Sequence, residues 1–312
     1  MNNLTSININ FDSLKWGFSI TNKNFIDPAF FHIADRFFEF SKLYDFKYTI
    51  FVIGQDLTHP AVAERVKFWS GQGHEIGNHS YSHPQNLGSL SYNEIEQEVL
   101  KTHEIITRLC GKEPRGFIAP SWATSINLIK ILLKNGYLYD TSLVPSYVLW
   151  FAVVQNWWNF KGDSRRKDIL QRKDRLANLA GSRQPYFANE SSLTIKQKEG
   201  LLILPLPVTP LLRLPCWHTM KFLIPKSMFQ YILKSCLSNL DHFYYLTHPM
   251  DLTDLTDIPN KYRTTKTMHR MEIPLDKKKE LFGESIKTIV DHSNRIVTME
   301  RLAQIISTSK KN

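Results

Sequence analysis

A chain of 312 residues with 42% hydrophobic and 22% charged side chains can bury a sizeable core, which excludes a wholly disordered polymer. Its apolar runs fall short of the roughly 18–20 residues that cross a bilayer. The opening MNNLTSININFD has neither the basic start nor the apolar centre of a secretory signal, so the expected location is cytoplasmic. The formal charge of +10 points to acidic partners, but no RNA motif, basic recognition helix or zinc-finger spacing accompanies it, and nucleic acid is not expected.

Residues 6–11 (SININF) alternate small polar and apolar side chains and end at Asp12, the pattern of an opening strand. Helical spacing of apolar residues follows over 28–44, then a β-branched and aromatic run closed by glycine at 48–54. Residues 61–73 predict an amphipathic helix that stops at Gly73. The clearest helix spans 91–111: Ser91 and Glu94 form a capping box, Ile95, Val99, Ile106 and Leu109 share a face, and Gly111 ends it. A short strand at 115–120, a helix at 125–136 and a strand over 137–143 come next.

The stretch from about 146 to 200 breaks the alternation and reads as an insertion. Its apolar, tryptophan-rich start (146–160) precedes a basic run (161–175). That pairing suits a peripheral membrane contact through 146–175, or a core-facing helix followed by a solvated basic loop. Strands resume at 201–208 and 242–248, and 294–306 predicts a last strand and helix. Repeated strand–helix units imply parallel strands with crossover helices, in an open sheet or a barrel. The economical reading is one α/β domain over 1–312 with an inserted segment. Cys110, Cys216 and Cys236 show no CxxC pattern and are expected as buried free thiols.

In α/β folds the chemistry gathers at the carboxyl ends of the strands. Asp12, His79, Pro120, Asp140 and His248 all fall at or just after such an end. The stretch GHEIGNHSYSHP (73–84) holds three histidines, with His79 and His83 four residues apart, so a single helical turn brings both rings to one side. Two imidazoles and a carboxylate suit a divalent transition metal, zinc above all, with positions left for water and substrate. Asp12 is the natural carboxylate.

Taken in order, FVIGQ, GHEIGNHSYSH, GKEPRGFIAPSW, GYLYDTSLVP, LPVTP and YLTHPMD resemble the polysaccharide deacetylases of carbohydrate esterase family 4. The likeness runs from about residue 6 to the C-terminus, with the insertion least covered. It implies a distorted (β/α) barrel of about seven parallel strands. It also implies a zinc-like metal held by Asp12, His79 and His83, and hydrolysis of N-acetyl groups on amino sugars. With no export signal, the substrate would be a glycan or a lipid- or nucleotide-linked glycan precursor, at the inner face of the membrane. The resemblance makes His248 the general acid, Trp122 and Pro120 part of the sugar-binding wall, and Asp140 an orienting carboxylate at the rim.

The family's first motif usually carries two acids, one the base and the other a ligand. Here Asp12 is the sole acid, with Asn10, Ser13 and Lys15 around it. It is either the ligand, with the base absent, or the base, with only two histidines left for the metal. Related enzymes also place an arginine where this chain has Ile118. Two other readings follow: a catalytically impaired glycan-binding relative that keeps the metal site, or a hydrolase of another small amide C–N bond.

Overall fold

A computed structural model describes residues 4–22, 25–148, 181–262 and 270–310. Most of the stretch expected to touch a membrane, 149–175, lies outside the described residues. Among the described residues, no helix is long and apolar enough to cross a bilayer.

The strands are β1 (Leu4–Asn10), β2 (Thr49–Val52), β3 (Glu75–Asn78), β4 (Gly116–Phe117), β5 (Tyr139–Asp140), β6 (Tyr186–Asn189), β7 (Ser192–Gln197), β8 (Leu201–Ile203), β9 (His242–Thr247) and β10 (Arg295–Ile296). β1, β2, β3, β4, β5 and β8 lie side by side in parallel. β9 runs parallel along one edge of β1, and the short β10 pairs with the start of β1. From residue 186 the stretch read as an insertion is part of the sheet, because β6 and β7 form an antiparallel hairpin joined to β8 through β6. The expected strand 201–208 stops at Ile203, since Pro205 and Pro207 cannot donate to a ladder. The chain beyond it bends round until Trp217 pairs with Leu246 of β9, so the sheet is curled towards closure. The result is a mostly parallel, barrel-like α/β domain, as the resemblance implies.

The helices are α1 (Leu14–Gly17), α2 (His32–Leu43), α3 (Pro60–Gly71), α4 (Tyr92–Cys110), α5 (Ile126–Lys134), α6 (Lys226–Asn239), α7 (Leu275–His292) and α8 (Met299–Ser309). Period-two alternation sorts the strand side chains into two layers. Ile7, Ile9, Ile50, Val52, Phe243 and Tyr245 pack with residues of α2, α3, α6 and α7, while Phe51, Tyr139, Leu202, Tyr244 and Leu246 cluster on the other face with Ile118 and Trp217. A third cluster seats α4 and α5 on β4 and β8. Gly77 of β3 permits the close approach of Phe51, whose ring lies 2.5 Å from where a Cβ would stand.

Three elements depart from the sequence reading. The helix expected over 28–44 opens as a 3₁₀ turn, because the Asp27 carboxylate accepts the Ala29 N–H; regular helix begins only at His32. Helices α6 and α7 carry no conspicuous signal. Each follows a proline without a side-chain cap, and the buried face of α7 mixes Phe282, Ile286 and Ile289 with Lys278 and Ser285. The cysteines form no disulfide; Cys216 and Cys236 are buried, whereas Cys110 is only half-buried.

One buried acid gives the fold a pH dependence. Glu75 accepts from Thr49 Oγ1 (2.7 Å), Tyr139 Oη (2.7 Å) and the Glu300 N–H (2.8 Å), yet burial pushes its carboxyl up from 4.5 to about 7. Between those two values the folded state holds a proton that the unfolded chain has released. The contribution is therefore full below pH 4.5 and is lost as pH rises towards 7. Glu75→Gln is expected to lose less stability than the native chain over that window. Melting temperatures at pH 5 and pH 8 test it, and parallel losses in both proteins would remove Glu75 as the cause.

Candidate metal centre

Strand β1 ends at Asn10, and Asp12 stands two residues beyond, its N–H bonded to the Asn10 carbonyl at 2.8 Å. β3 ends at Asn78, which delivers His79 to the same end of the sheet. His79 Nε2 lies 3.1 Å from Asp12 Oδ1, and His83 Nε2 lies 3.2 Å from the same oxygen. Among the described residues, these three form the one group of ligand-type side chains close enough to share a metal ion.

The two histidines do not reach each other by the single helical turn that their spacing suggests. Residues 79–83 form an irregular loop in which Ser80 (φ 62) and His83 (φ 57) are left-handed. The Glu98 carboxylate of α4 holds that loop, accepting from the Tyr81 N–H (2.9 Å), the Ser82 N–H (2.8 Å) and Ser82 Oγ (2.6 Å). A helix would have turned those amides along its own axis. Ser121 (φ 50) and Trp122 (φ 54), in the neighbouring APSW turn, are also left-handed. Non-glycine residues in this region cost on the order of 1 kcal/mol or more, and such strain collects at functional sites.

The surroundings of each ligand atom fit a cation. His79 Nδ1 donates to the Ile118 carbonyl at 2.7 Å, so its Nε2 directs a lone pair at the Asp12 carboxylate. With the ring neutral, two acceptors 3.1 Å apart repel each other, and a cation or a proton between them relieves the repulsion. His83 Nε2 is buried with no partner other than the Asp12 oxygen, and its Nδ1 lies 3.2 Å from the Gln85 amide, which can accept as well as donate by turning over. Desolvation acts to raise the Asp12 carboxyl, but the imidazoles of His83 and His79 outweigh it and hold Asp12 well below the usual carboxylate range. Burial lowers the His79 imidazole, against the opposing pull of Asp12.

A layer behind the ligands was not legible in the sequence. Asp56 Oδ2 accepts from Ser13 Oγ (3.0 Å) and Trp16 Nε1 (2.9 Å), and the Trp16 ring packs against His83 with centroids 5.5 Å apart. Burial raises the Asp56 carboxyl to about 6, with Lys15 and Trp16 pulling the other way.

The remaining expected residues divide. His248 follows β9, and because Ile9 pairs with Thr247 it stands beside Asn10 at the same rim. Its Nδ1 faces Thr219 Oγ1 (3.5 Å) and Asp251 (3.9 Å), and its N–H donates to Asp251 at 2.8 Å. Pro120 opens the turn just after Ile118, whose carbonyl orients His79, and Trp122 packs against Trp217 at 5.6 Å.

Asp140, in contrast, is turned away. Tyr139 occupies the inner face of β5, so Asp140 points outwards into a pocket with Thr124, Ile129, Leu143, Tyr186 and Leu193, where Ser142 donates to it. Burial lifts its carboxyl to about 7. The expected orienting carboxylate thus lies in that pocket, bonded to Ser142. Asn10 is nine-tenths buried with no partner for Oδ1, and the side chain of Ile118 is wholly buried in the apolar interior.

Residues 26–139 match the family model described as polysaccharide deacetylase. A peptidoglycan deacetylase of Helicobacter pylori is 35% identical over 114 residues, 35% of this chain and 38% of that protein. A peptidoglycan-N-acetylglucosamine deacetylase of Bacillus cereus is 30% identical over 130 residues, 41% of this chain and 43% of that protein. The matches thus span about two fifths of these curated relatives. Among solved structures, a candidate polysaccharide deacetylase of Mycobacterium smegmatis superposes over 98% of this chain and 91% of its own, with a TM-score of 0.57 at 14% identity. At such identity the likeness is one of fold.

Proposed function

The chain belongs to the polysaccharide deacetylase family, and from that premise we propose that it is a metal-dependent hydrolase that removes the N-acetyl group from an amino sugar in a glycan or glycan precursor. The observation that carries the reading is the meeting of Asp12 Oδ1, His79 Nε2 and His83 Nε2 at one end of the sheet. Those three hold the ion, and zinc suits two imidazoles and a carboxylate. When bound, such an ion supplies Lewis-acid polarisation of the amide carbonyl and a water reactive near neutral pH.

The protein's own side chains do the rest. Ile118 fixes which nitrogen of His79 faces the site, through its carbonyl. His248 turns Nδ1 to Thr219 and Asp251, and the proton for the departing amine is held on Nε2. Trp122, backed by Trp217, offers a flat apolar wall for a sugar ring.

Incubating the zinc- or cobalt-loaded protein with oligomers of N-acetylglucosamine should release acetate in step with free amine, and chelation should stop it. Amine release without acetate would move the reaction to another C–N bond. A second reading, of a relative that binds glycan but turns it over poorly, is compatible with the amide at position 10 and the apolar Ile118.

A further inference from the structure

We propose that Lys278, from α7, is the positioning residue that sets the turn carrying His248; the proposal rests on His248 acting as the general acid. Lys278 has no exposed surface, although its side chain is the kind that ordinarily reaches water. Its Nζ donates to the carbonyls of Met250 (2.9 Å) and Thr253 (2.7 Å), two and five residues after His248. The same ammonium lies 5.1 Å from the centre of the Phe222 ring. A buried ammonium is costly unless it is compensated, and here compensation comes from that turn. Burial draws the amine down to about 8, while Asp251 and Asp254 hold it up.

Asp251 links the amine to the acid. It is fully buried, accepts the His248 N–H at 2.8 Å, and takes a second bond from Thr219 Oγ1 at 2.9 Å. Lys278 thus fastens the turn at two carbonyls that bracket Asp251, and Asp251 fastens the backbone of His248. Among the described residues, the other buried lysine offers a contrast. Lys221 donates to the Leu281 carbonyl, Glu284 and Ser285, all on α7, and to none of the turn. Burial of an amine at this helix does not by itself require contact with residues 248–253.

The test compares Lys278→Met, which keeps volume without donors, with Lys278→Gln, which keeps donors without charge, in the metal-loaded full chain. Lys278→Met is expected to lower kcat at least about tenfold with KM nearly unchanged, as outer partners of active groups commonly do. Lys278→Gln should recover part of that loss. On a His248→Ala background the same Met substitution should change kcat by less than about twofold, because the group it positions is gone. Amides of 250–253 should exchange with solvent faster in Lys278→Met while the middle of α7 stays protected. Equal losses on both backgrounds, or unchanged exchange at 250–253, would overturn the proposal. If Lys278→Met does not fold, exchange in Lys278→Ala, which also lacks donors, decides, with unchanged protection of the turn counting against the proposal. If no N-acetylated saccharide is turned over, the proposed function fails, while the exchange result still decides whether Lys278 sets the turn.

Discussion

Replacing Asp12 with alanine is expected to weaken zinc binding by at least about 100-fold. Partners one layer removed from a metal already cost about 10–100-fold, and Asp12 would touch the ion directly. Removal leaves two imidazoles, one of them buried without any other partner at Nε2. A second readout does not require turnover. An ion that binds only the folded state stabilises it by about 2.7 kcal/mol at 100 times its Kd. Saturating zinc should therefore raise the melting temperature of the native chain and leave that of Asp12→Ala nearly where it was. Retention of a full equivalent of metal together with lost turnover would reverse the assignment. Asp12 would then be the base, and the ion would depend on the histidines alone.

How much of this site is legible in the sequence depends on the distance over which each contact is made. Asp12 can be found because it sits just past a strand whose alternation is plain, and His79 and His83 because they stand four residues apart in one histidine-rich stretch; parallel strands deliver both to one rim. The geometry of the histidine pair is less accessible. It depends on Glu98, fifteen residues on from His83, and a carboxylate on the face of an amphipathic helix looks like any solvated one. Asp140 misleads for a related reason. Its place at a strand end is correct, but β5 keeps only two residues in register, and which of them faces inwards is decided by Tyr139 reaching Glu75. Lys278 is the extreme case, because a lysine in DKKKE reads as surface charge until the turn 248–253 is packed against it. Local pattern locates the ligands; what holds them in place comes from far along the chain.

The second large effect is expected at Asn10, where an aspartate should raise turnover at least about tenfold. Asn10 is the last residue of β1, and by alternation its side chain lies opposite Ile9 and Phe11, which pack beneath the helices. It adjoins the strand that leads into His248 and precedes Asp12 by two residues. An amide there can accept a hydrogen bond from a water but cannot take its proton at neutral pH, whereas a carboxylate can do both. General-base help typically contributes about 10²–10⁴-fold, so even an imperfectly placed carboxylate at position 10 has room to act. The like charge of Asp12 opposes a second carboxylate, so the gain is expected only in metal-loaded protein, where the cation offsets it. The measurement is kcat for Asn10→Asp with zinc content matched to the native chain. A rise with KM unchanged identifies position 10 as the missing base and the native enzyme as a slow one. A fall, with metal retained, would show instead that the Asn10 amide is itself part of the native machinery, and the impaired reading would lose its main support.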